Sequence, residues 1–368
     1  MRYLKAIASL AVAGVVTACA GYHTVPPSNY SATSDGIERI AFDQAGDPYP
    51  QSNTPGRLDV PPQPSNHNAA FTLRTYYQVR NVPYDRGILL DQAAARIVEG
   101  LHAGKTRRVV FLIKGFNNSY ESFDTQYAWM REQVIATRDP ERVFFVQVYW
   151  DALFKGQNTL PAPLAYFADS LTYSNHAGDC GLRDLLRRLP AGTDVTFLTH
   201  SRGAAVALAA LSDPKYDRGI SNACRSTTPS HALPEQLGDV RLVAFAPAIG
   251  DGHMRVSRDV ARTDIFARLD RMYAGYNPND PAVTKKHFGI NVPDRLGGDT
   301  RLGGNEIYLH HLDELFANAG FQASFQYERF ERKSHDWDQY IAMTTQADCL
   351  LWAGMILANP PKGCSVTR

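Results

Sequence analysis

The stretch from Val195 to Leu208 constrains the chain more than any other. It reads Val-Thr-Phe-Leu-Thr-His-Ser-Arg-Gly-Ala-Ala-Val-Ala-Leu, which is an apolar, β-branched run, a short turn around Ser201 and an Ala-rich segment. The first part predicts a buried strand and the last part predicts a helix. A sharp strand-to-helix turn of this kind presents one hydroxyl at the carboxyl edge of a sheet, which is the arrangement of a nucleophile elbow.

The turn departs at one position from the usual Gly-x-Ser-x-Gly pattern. Gly203 follows the serine at the expected distance, but Thr199 stands where the first glycine is usual. Small residues are common at both positions because strand and helix approach closely there. The same residues also fit an ordinary helix N-terminus with Ser201 as its cap. A serine is a poor nucleophile by itself, so the catalytic interpretation requires a base and an orienting carboxylate.

Composition excludes few functions. A chain of 368 residues can hold one large α/β domain or two smaller ones, and 44% hydrophobic residues suffice for a sizeable core. Lys and Arg number 38 against 37 Asp and Glu, so the charge balance does not predict binding to nucleic acid. No Cys-x-x-Cys or His-Glu-x-x-His spacing indicates a metal site, and we expect no cofactor.

The N-terminus has the features of a targeting segment. Arg2 and Lys5 precede a short apolar run that is followed by Cys19. The run is too short to span a membrane. The segment resembles a bacterial lipoprotein signal, which implies a signal peptide over residues 1–18 and lipidation of Cys19; ordinary secretion is the alternative. Ala20 resembles the residue found in lipoproteins sent to the outer membrane, so we expect a protein of the bacterial cell envelope, held to the membrane by its lipid.

The rest of the chain divides by composition. Residues 19–70 are rich in Pro, Ser, Asn, Gly and Asp, which predicts a lipidated N-terminal tether with extended pieces. Residues 71–358 carry the strand and helix patterns of the main domain, and residues 359–368 form a C-terminal tail.

Export from the cytosol permits disulfides. Four cysteines remain after Cys19, an even number that allows three full pairings. We expect one or two disulfides, and the candidate pairs are Cys349 with Cys364 at the C-terminus and Cys180 with Cys224 near the elbow; the other pairings stay open.

Strand and helix patterns alternate along the main domain. Strands are predicted at Phe71–Val79, Val109–Ile113, Arg142–Trp150, Val195–His200, Val240–Pro247, Arg271–Tyr276 and Ala323–Phe330. Helices are predicted at Leu89–His102, Tyr120–Val134, Leu182–Leu189 and Asp338–Met355. The Pro-interrupted stretch 156–181 is either a lid or a helix packed on the core. This alternation predicts a mostly parallel sheet with helices on both faces and active groups at the carboxyl ends of its strands.

Two polar residues follow late strands and complete a triad. Asp280 lies just beyond the strand at Arg271–Tyr276, and His335 lies between the last strand and the last helix. The chain order Ser201, Asp280, His335 is the one associated with this architecture. We predict that Ser201 attacks an acyl carbon, that His335 transfers the proton and that Asp280 orients the imidazole.

Rival residues remain for both partners. Asp251 is the alternative acid, and three histidines are alternative bases, namely His287, His310 and His311. His200, next to the serine, is expected to pack behind the elbow, because consecutive side chains of a strand point to opposite faces.

A second strand-to-helix loop, Lys114 to Ser119, can complete an oxyanion hole. We predict that the backbone N–H groups of Arg202 and Phe116 hold the oxyanion. Lys114 either steers an anionic substrate or is an ordinary solvated or paired lysine.

These motifs resemble the α/β-hydrolase superfamily and, more narrowly, a bacterial family of uncharacterised hydrolases. The segments that carry the resemblance are Gly115–Ser119, His200-Ser201, Asn277–Asp280, Arg301-Leu302-Gly303 and His335. It covers roughly residues 105–340. Lys114 and Arg202 depart from it, since histidine often precedes the glycine and Met or Leu is commoner after the serine.

The resemblance implies an α/β-hydrolase fold and a serine hydrolase that cleaves a carboxylic ester or related acyl bond, on a small-molecule or lipid substrate. The alternative is a non-catalytic binding or scaffold lipoprotein on the same fold, since folds host many functions. Thr199 and Lys114 favour this alternative, whereas the presence of all three triad residue types opposes it.

Overall fold

The computed structural model describes most of the main domain with gaps. The described residues are 33–34, 37–50, 72–116, 120–137, 139–151, 170, 172–211, 237–249, 256–257, 260–261, 268–284, 304, 306–318, 324–331, 334–342 and 344–364. The predicted signal peptide and Cys19 lie outside them.

Ten strands and nine α-helices are described in these ranges. The strands are β1 Thr33–Ser34, β2 Ile37–Phe42, β3 Arg108–Ile113, β4 Phe144–Trp150, β5 Asp194–His200, β6 Val240–Phe245, β7 Val256–Ser257, β8 Val260–Ala261, β9 Arg271–Tyr276 and β10 Ser324–Arg329. The helices are α1 Leu73–Val79, α2 Arg86–Ala103, α3 Tyr120–Thr137, α4 Arg183–Leu186, α5 Gly203–Leu211, α6 Pro281–Thr284, α7 Glu306–Asn318, α8 Trp337–Ile341 and α9 Thr345–Ala353. None of the helices in this part of the chain is long and apolar enough to cross a membrane.

The main sheet has the strand order β1-β2-β4-β3-β5-β6-β9-β10. Every neighbouring pair from β2 to β10 is parallel, and only the short β1 runs antiparallel to its neighbour. Strands β4, β5 and β6 are buried along their whole length, so both faces of the sheet are covered. The predicted architecture is confirmed. Because the strands are parallel, the residues that follow β3, β5, β9 and β10 meet at one edge.

One predicted strand is wrong. Residues 73–79 form helix α1 instead of a strand. The side chain of Thr72 accepts a hydrogen bond from the backbone of Thr75, and a carboxylate oxygen of Asp43 accepts one from Leu73 N at 2.7 Å. These two caps satisfy backbone donors at the start of the helix, and one of them comes from thirty residues earlier in the chain.

The prediction of a tether over residues 19–70 is wrong for one stretch, because Ile37–Phe42 forms strand β2 of the main sheet, parallel to β4. Its sequence looks polar because of Glu38 and Arg39, but both side chains have partners. Glu38 is fully buried and accepts three hydrogen bonds from Arg96, of 2.8, 2.9 and 3.1 Å. Burial raises the pKa of Glu38 to about 7, although Arg96 opposes this shift.

The predicted final helix, Asp338–Met355, is two helices. Helix α8 ends at Ile341, and Ala342 adopts an extended conformation. Thr344 then caps α9 by accepting a hydrogen bond from Ala347 N at 3.2 Å. The continuous apolar pattern did not reveal this break, because the residues on both sides of it are buried in the same core.

The stretch 156–181 lies partly outside the described residues. Its end, Ala177–Leu182, is a buried π-helical turn that leads into α4. A Cβ on Gly178 would lie 2.2 Å from the carbonyl oxygen of Val206 in α5, so the turn touches the elbow helix directly. For these residues the interpretation as a helix packed on the core is confirmed.

The predicted pair Cys349 and Cys364 forms a disulfide, with a Cα–Cα distance of 5.2 Å. Cys180 is also disulfide-bonded. Its predicted partner, Cys224, lies outside the described residues.

Candidate active site

Ser201 occupies a strained turn directly after β5. Its φ is +54°, in the left-handed region that residues with a Cβ rarely adopt. The turn is held on the side of β6, because Ser201 N donates to Phe245 O at 2.9 Å. On the other side, a Cβ on Gly203 would lie 2.2 Å from the carbonyl oxygen of Ile113, so only glycine lets α5 approach the end of β3 this closely. The elbow geometry predicted from the sequence is present.

Thr199 replaces the first glycine of the motif without disturbing the turn. Its side chain is fully buried, and its hydroxyl donates to Val243 O on the neighbouring strand at 3.3 Å. The close approach falls on Gly203 instead. The departure from the usual motif is therefore no sign of a damaged elbow.

The loop after β3 lies against the elbow. A Cβ on Gly115 would be 2.5 Å from the Cβ of Ser201 and 3.0 Å from the backbone N of Arg202. The backbone of Lys114 is fixed by two buried aromatic residues. Its N–H donates to the hydroxyl of Tyr127 at 2.9 Å, and its carbonyl accepts from Trp150 Nε1 at 2.7 Å. Phe116, whose N–H was predicted to face the oxyanion, is the second residue after this fixed point.

The three predicted side chains form a hydrogen-bonded series. Ser201 Oγ lies 2.7 Å from His335 Nε2, and His335 Nδ1 lies 2.6 Å from Asp280 Oδ2. Ser201 is 6% exposed and Asp280 is fully buried, while the His335 side chain is 21% exposed. With Asp280 ionised, Nδ1–H donates to the carboxylate and Nε2 is free to accept the serine proton.

Asp280 is held in its ionised form. Burial opposes ionisation, but the hydrogen bond and charge of His335 and the hydroxyl of Tyr340 outweigh it and lower the pKa of Asp280. The Tyr340 hydroxyl donates to Oδ2 at 2.5 Å, and Ala282 N donates to Oδ1 at 2.8 Å. Sequence reasoning missed Tyr340, because a tyrosine on an apolar helix gives no signal that separates it from core packing.

Of the rival residues, His310 has a described side chain, and it does not enter this series. His310 is exposed on α7 and contacts the hydroxyl of Tyr327 at 3.1 Å. Asp251, His287 and the side chain of His311 lie outside the described residues. His200 packs behind the elbow as predicted, with its ring parallel to Trp337 at 5.8 Å between centroids.

Lys114 is not solvated, because only 5% of the residue is exposed. Burial lowers the pKa of its ammonium group to about 8, whereas the nearby carboxylates Asp336 and Asp338 oppose the shift. Both carboxylates closely follow His335 in the sequence, so this cation lies near the segment that carries the imidazole. Among the described residues, no group of three or more His, Cys, Asp or Glu side chains could hold a metal ion.

Comparison with known proteins gives one family match. Residues 91–227 match the family described as "Alpha/beta hydrolase of unknown function (DUF900)". No curated protein matches the chain.

Similar solved structures are esterases and a related hydrolase. An esterase from the Planctomycetes species Thermogutta terrifontis is 13% identical, with 70% of this chain and 84% of that chain covered and a TM-score of 0.35. Esterase B from Lactobacillus rhamnosis is 8% identical, with 63% and 69% covered and a TM-score of 0.32. An S-formylglutathione hydrolase from Agrobacterium tumefaciens is 14% identical, with 68% and 84% covered and a TM-score of 0.33.

Proposed function

The chain has the α/β-hydrolase fold, and on this fold we propose that it is a serine hydrolase that cleaves a carboxylic ester or a related acyl bond. One observation carries the proposal: Ser201 Oγ, the imidazole of His335 and the carboxylate of Asp280 are joined in series by hydrogen bonds of 2.7 and 2.6 Å. A nucleophile, a base and an orienting acid in this series form the machinery of acyl transfer.

The proposed reaction proceeds in two halves. Ser201 Oγ attacks the acyl carbon while its proton passes to His335 Nε2, and Asp280 stabilises the resulting imidazolium. The tetrahedral intermediate collapses when His335 gives that proton to the leaving oxygen, which leaves an acyl-serine. Water then attacks the acyl-serine, His335 takes a proton from the water, and the same proton returns to Ser201 as the acid departs.

The oxyanion of both tetrahedral intermediates is proposed to bind the backbone N–H groups of Arg202 and Phe116. Two features support this assignment. Arg202 N lies beside the α-carbon of Gly115, and the position of Lys114, two residues before Phe116, is fixed by Tyr127 and Trp150. The loss of a single oxyanion donor typically costs about 3 kcal/mol of transition-state stabilisation.

Substitution of the serine tests the proposal. Purified wild-type protein should hydrolyse short p-nitrophenyl esters, and Ser201→Ala should lose this activity by about a thousand-fold or more while keeping its fold. Ser122→Ala is the matched control, because it removes a hydroxyl on α3 that contacts Gln126 of the same helix. Hydrolysis that is unchanged in the Ser201 variant would place the chemistry elsewhere.

We also propose that the protein is exported and anchored to the outer membrane of a bacterial cell by a lipid on Cys19. Only the sequence of the N-terminus supports this part. A Cys19→Ala variant should lose metabolic labelling with radioactive palmitate and leave the membrane fraction. Labelling that persists in that variant would contradict the anchor.

A further inference from the structure

A second buried histidine lies at the site, and the proposed reaction does not use it. His200 is 3% exposed and directly precedes the nucleophile in the chain. By geometry neither of its ring nitrogens makes a hydrogen bond among the described residues, although the ring approaches the backbone of His335. The contacts of this side chain with the triad are therefore chiefly those of its ring faces and edges.

The ring of His200 packs against the base and against two aromatic residues of α8. Its centroid lies 4.8 Å from that of His335, with an angle of 41° between the ring planes. Trp337, two residues after the base, stacks parallel to it. Tyr340, which donates to Asp280, packs against it at 5.8 Å. The ring thus forms a wall that contacts the base directly and the acid only through Tyr340.

The His200 ring remains uncharged. Burial lowers the pKa of His200 well below its ordinary value, and the neighbouring His335 and Lys114 lower it further. A contact with the backbone of His335 acts in the opposite direction. The ring of His200 therefore stays neutral beside the base.

We propose that His200 is a positioning residue whose ring keeps the imidazole of His335 in line between Ser201 and Asp280. The proposal rests on the proposed function, because it assigns a role within the same reaction. The His335 loop needs such support, since its base is partly exposed and the flanking Asp336 is exposed. A base displaced by about 1 Å loses on the order of a hundred-fold in rate.

Substitutions that remove the ring of His200, or replace it with another flat ring, test the proposal. His200→Ala removes the wall, and we expect kcat for p-nitrophenyl acetate to fall about a hundred-fold with KM changed by less than about two-fold. His200→Phe keeps a flat ring, and it should restore kcat to within about three-fold of wild type. If the alanine variant does not fold, His200→Leu replaces it, with an expected fall of about ten-fold.

A matched control separates positioning from general packing. Phe197 is a fully buried ring three residues earlier on β5, and it stacks on Phe111 at 5.6 Å. Phe197→Leu should lower the unfolding temperature while leaving kcat unchanged. A kcat for His200→Ala within two-fold of wild type, or a phenylalanine variant as impaired as the alanine variant, would overturn the proposal.

A proton resonance separates failure of this role from failure of the proposed function. The Nδ1 proton of His335, held by Asp280, should give a far-downfield NMR signal in wild-type protein and in Phe197→Leu. In His200→Ala the signal should broaden or disappear, because the ring is no longer held. If wild-type protein shows no turnover that depends on Ser201, the proposed function fails, and the NMR signal alone tests the role of His200. Persistence of the signal in His200→Ala then overturns the positioning role.

Discussion

The two sides of the candidate site are built by different means. The nucleophile side, defined as residues 194–211 with Lys114 and Gly115, depends on backbone packing, and every residue of β5 and α5 in it is buried. The acid–base side, defined as residues 277–280 and 334–341, depends on side-chain hydrogen bonds and carries the partly exposed His335. A change that adds bulk to the backbone packing of the nucleophile side should therefore damage the fold, whereas removal of the exposed imidazole from the acid–base side should damage the chemistry and spare the fold.

The largest effect is expected from His335→Ala. It removes the proposed base from the more exposed side, so kcat for a p-nitrophenyl ester should fall by about 10⁴-fold. The melting temperature should stay within a few degrees of wild type. His310→Ala, on an exposed position of α7, is the control and should retain full activity. Extensive unfolding of the His335 variant would remove the distinction between the two sides.

Gly203→Ala should produce the opposite outcome. The added Cβ would lie 2.2 Å from the carbonyl oxygen of Ile113. Helix α5 and the end of β3 cannot move apart without a large cost in free energy. We expect the free energy of unfolding to fall by about 3 kcal/mol. Gly104→Ala is the same substitution with its nearest neighbour at 3.2 Å, and it should change stability little. Urea denaturation measures both, and equal losses would show that the approach of α5 to β3 does not limit the fold.

Loss of the Cys349–Cys364 disulfide should weaken the fold behind the acid–base side without touching the triad. The bond closes a loop with a sequence separation of 15 and ties the C-terminal segment to α9. Replacing both cysteines by serine should lower the free energy of unfolding by about 2 to 3 kcal/mol. Esterase activity measured well below the melting temperature should be unchanged. A fall in kcat at that temperature would mean that α9 also helps to hold the residues of the acid–base side in place.

Among these variants, Tyr340→Phe should give the smallest loss in free energy of unfolding, and that loss should depend on pH. Because the folded pKa of Asp280 is lowered, ionised Asp280 stabilises the fold above the ordinary carboxyl pKa, and this contribution is lost as pH falls through the lowered value. Removing the Tyr340 hydroxyl raises the folded pKa of Asp280 and shrinks the contribution. The variant should lose about 1 kcal/mol near neutral pH and less on acidification.

Urea denaturation of wild type and Tyr340→Phe at about pH 7 and about pH 2, well below the ordinary carboxyl pKa, measures this difference. Tyr327→Phe, on the edge strand β10, is the control for loss of a phenolic hydroxyl outside the acid–base side. A loss that is equal at both pH values would mean that Tyr340 packs against Asp280 without affecting its ionisation.

The nucleophile side could be predicted from the sequence because its information is local. A buried strand, one serine and Gly203 lie within ten residues, and their order fixes the turn. The meeting of Asp280 with His335 followed from chain order, since the ends of parallel strands share one edge. Tyr340 could not be predicted, because its role depends on where α8 ends relative to Asp280.

The wrong predictions for helix α1 and strand β2 have one cause in common, namely contacts with residues that are distant in the sequence. Residues 73–79 form a helix whose first turn is capped by Asp43 at Leu73 N. No local sequence pattern predicts a cap that comes from another segment. Strand β2 was missed because residues 19–70 were assigned from their overall composition, which is rich in Pro, Ser, Asn, Gly and Asp. Arg96, on α2, supplies the charge and hydrogen bonds that make the burial of Glu38 possible.

The most direct test of the account is the reaction of the folded protein with a fluorophosphonate probe, followed by peptide mapping in a mass spectrometer. The account predicts a single adduct on Ser201 that forms in wild-type protein and is lost or greatly slowed in His335→Ala. A folded wild-type protein that gives no adduct, or an adduct on another residue, would contradict it.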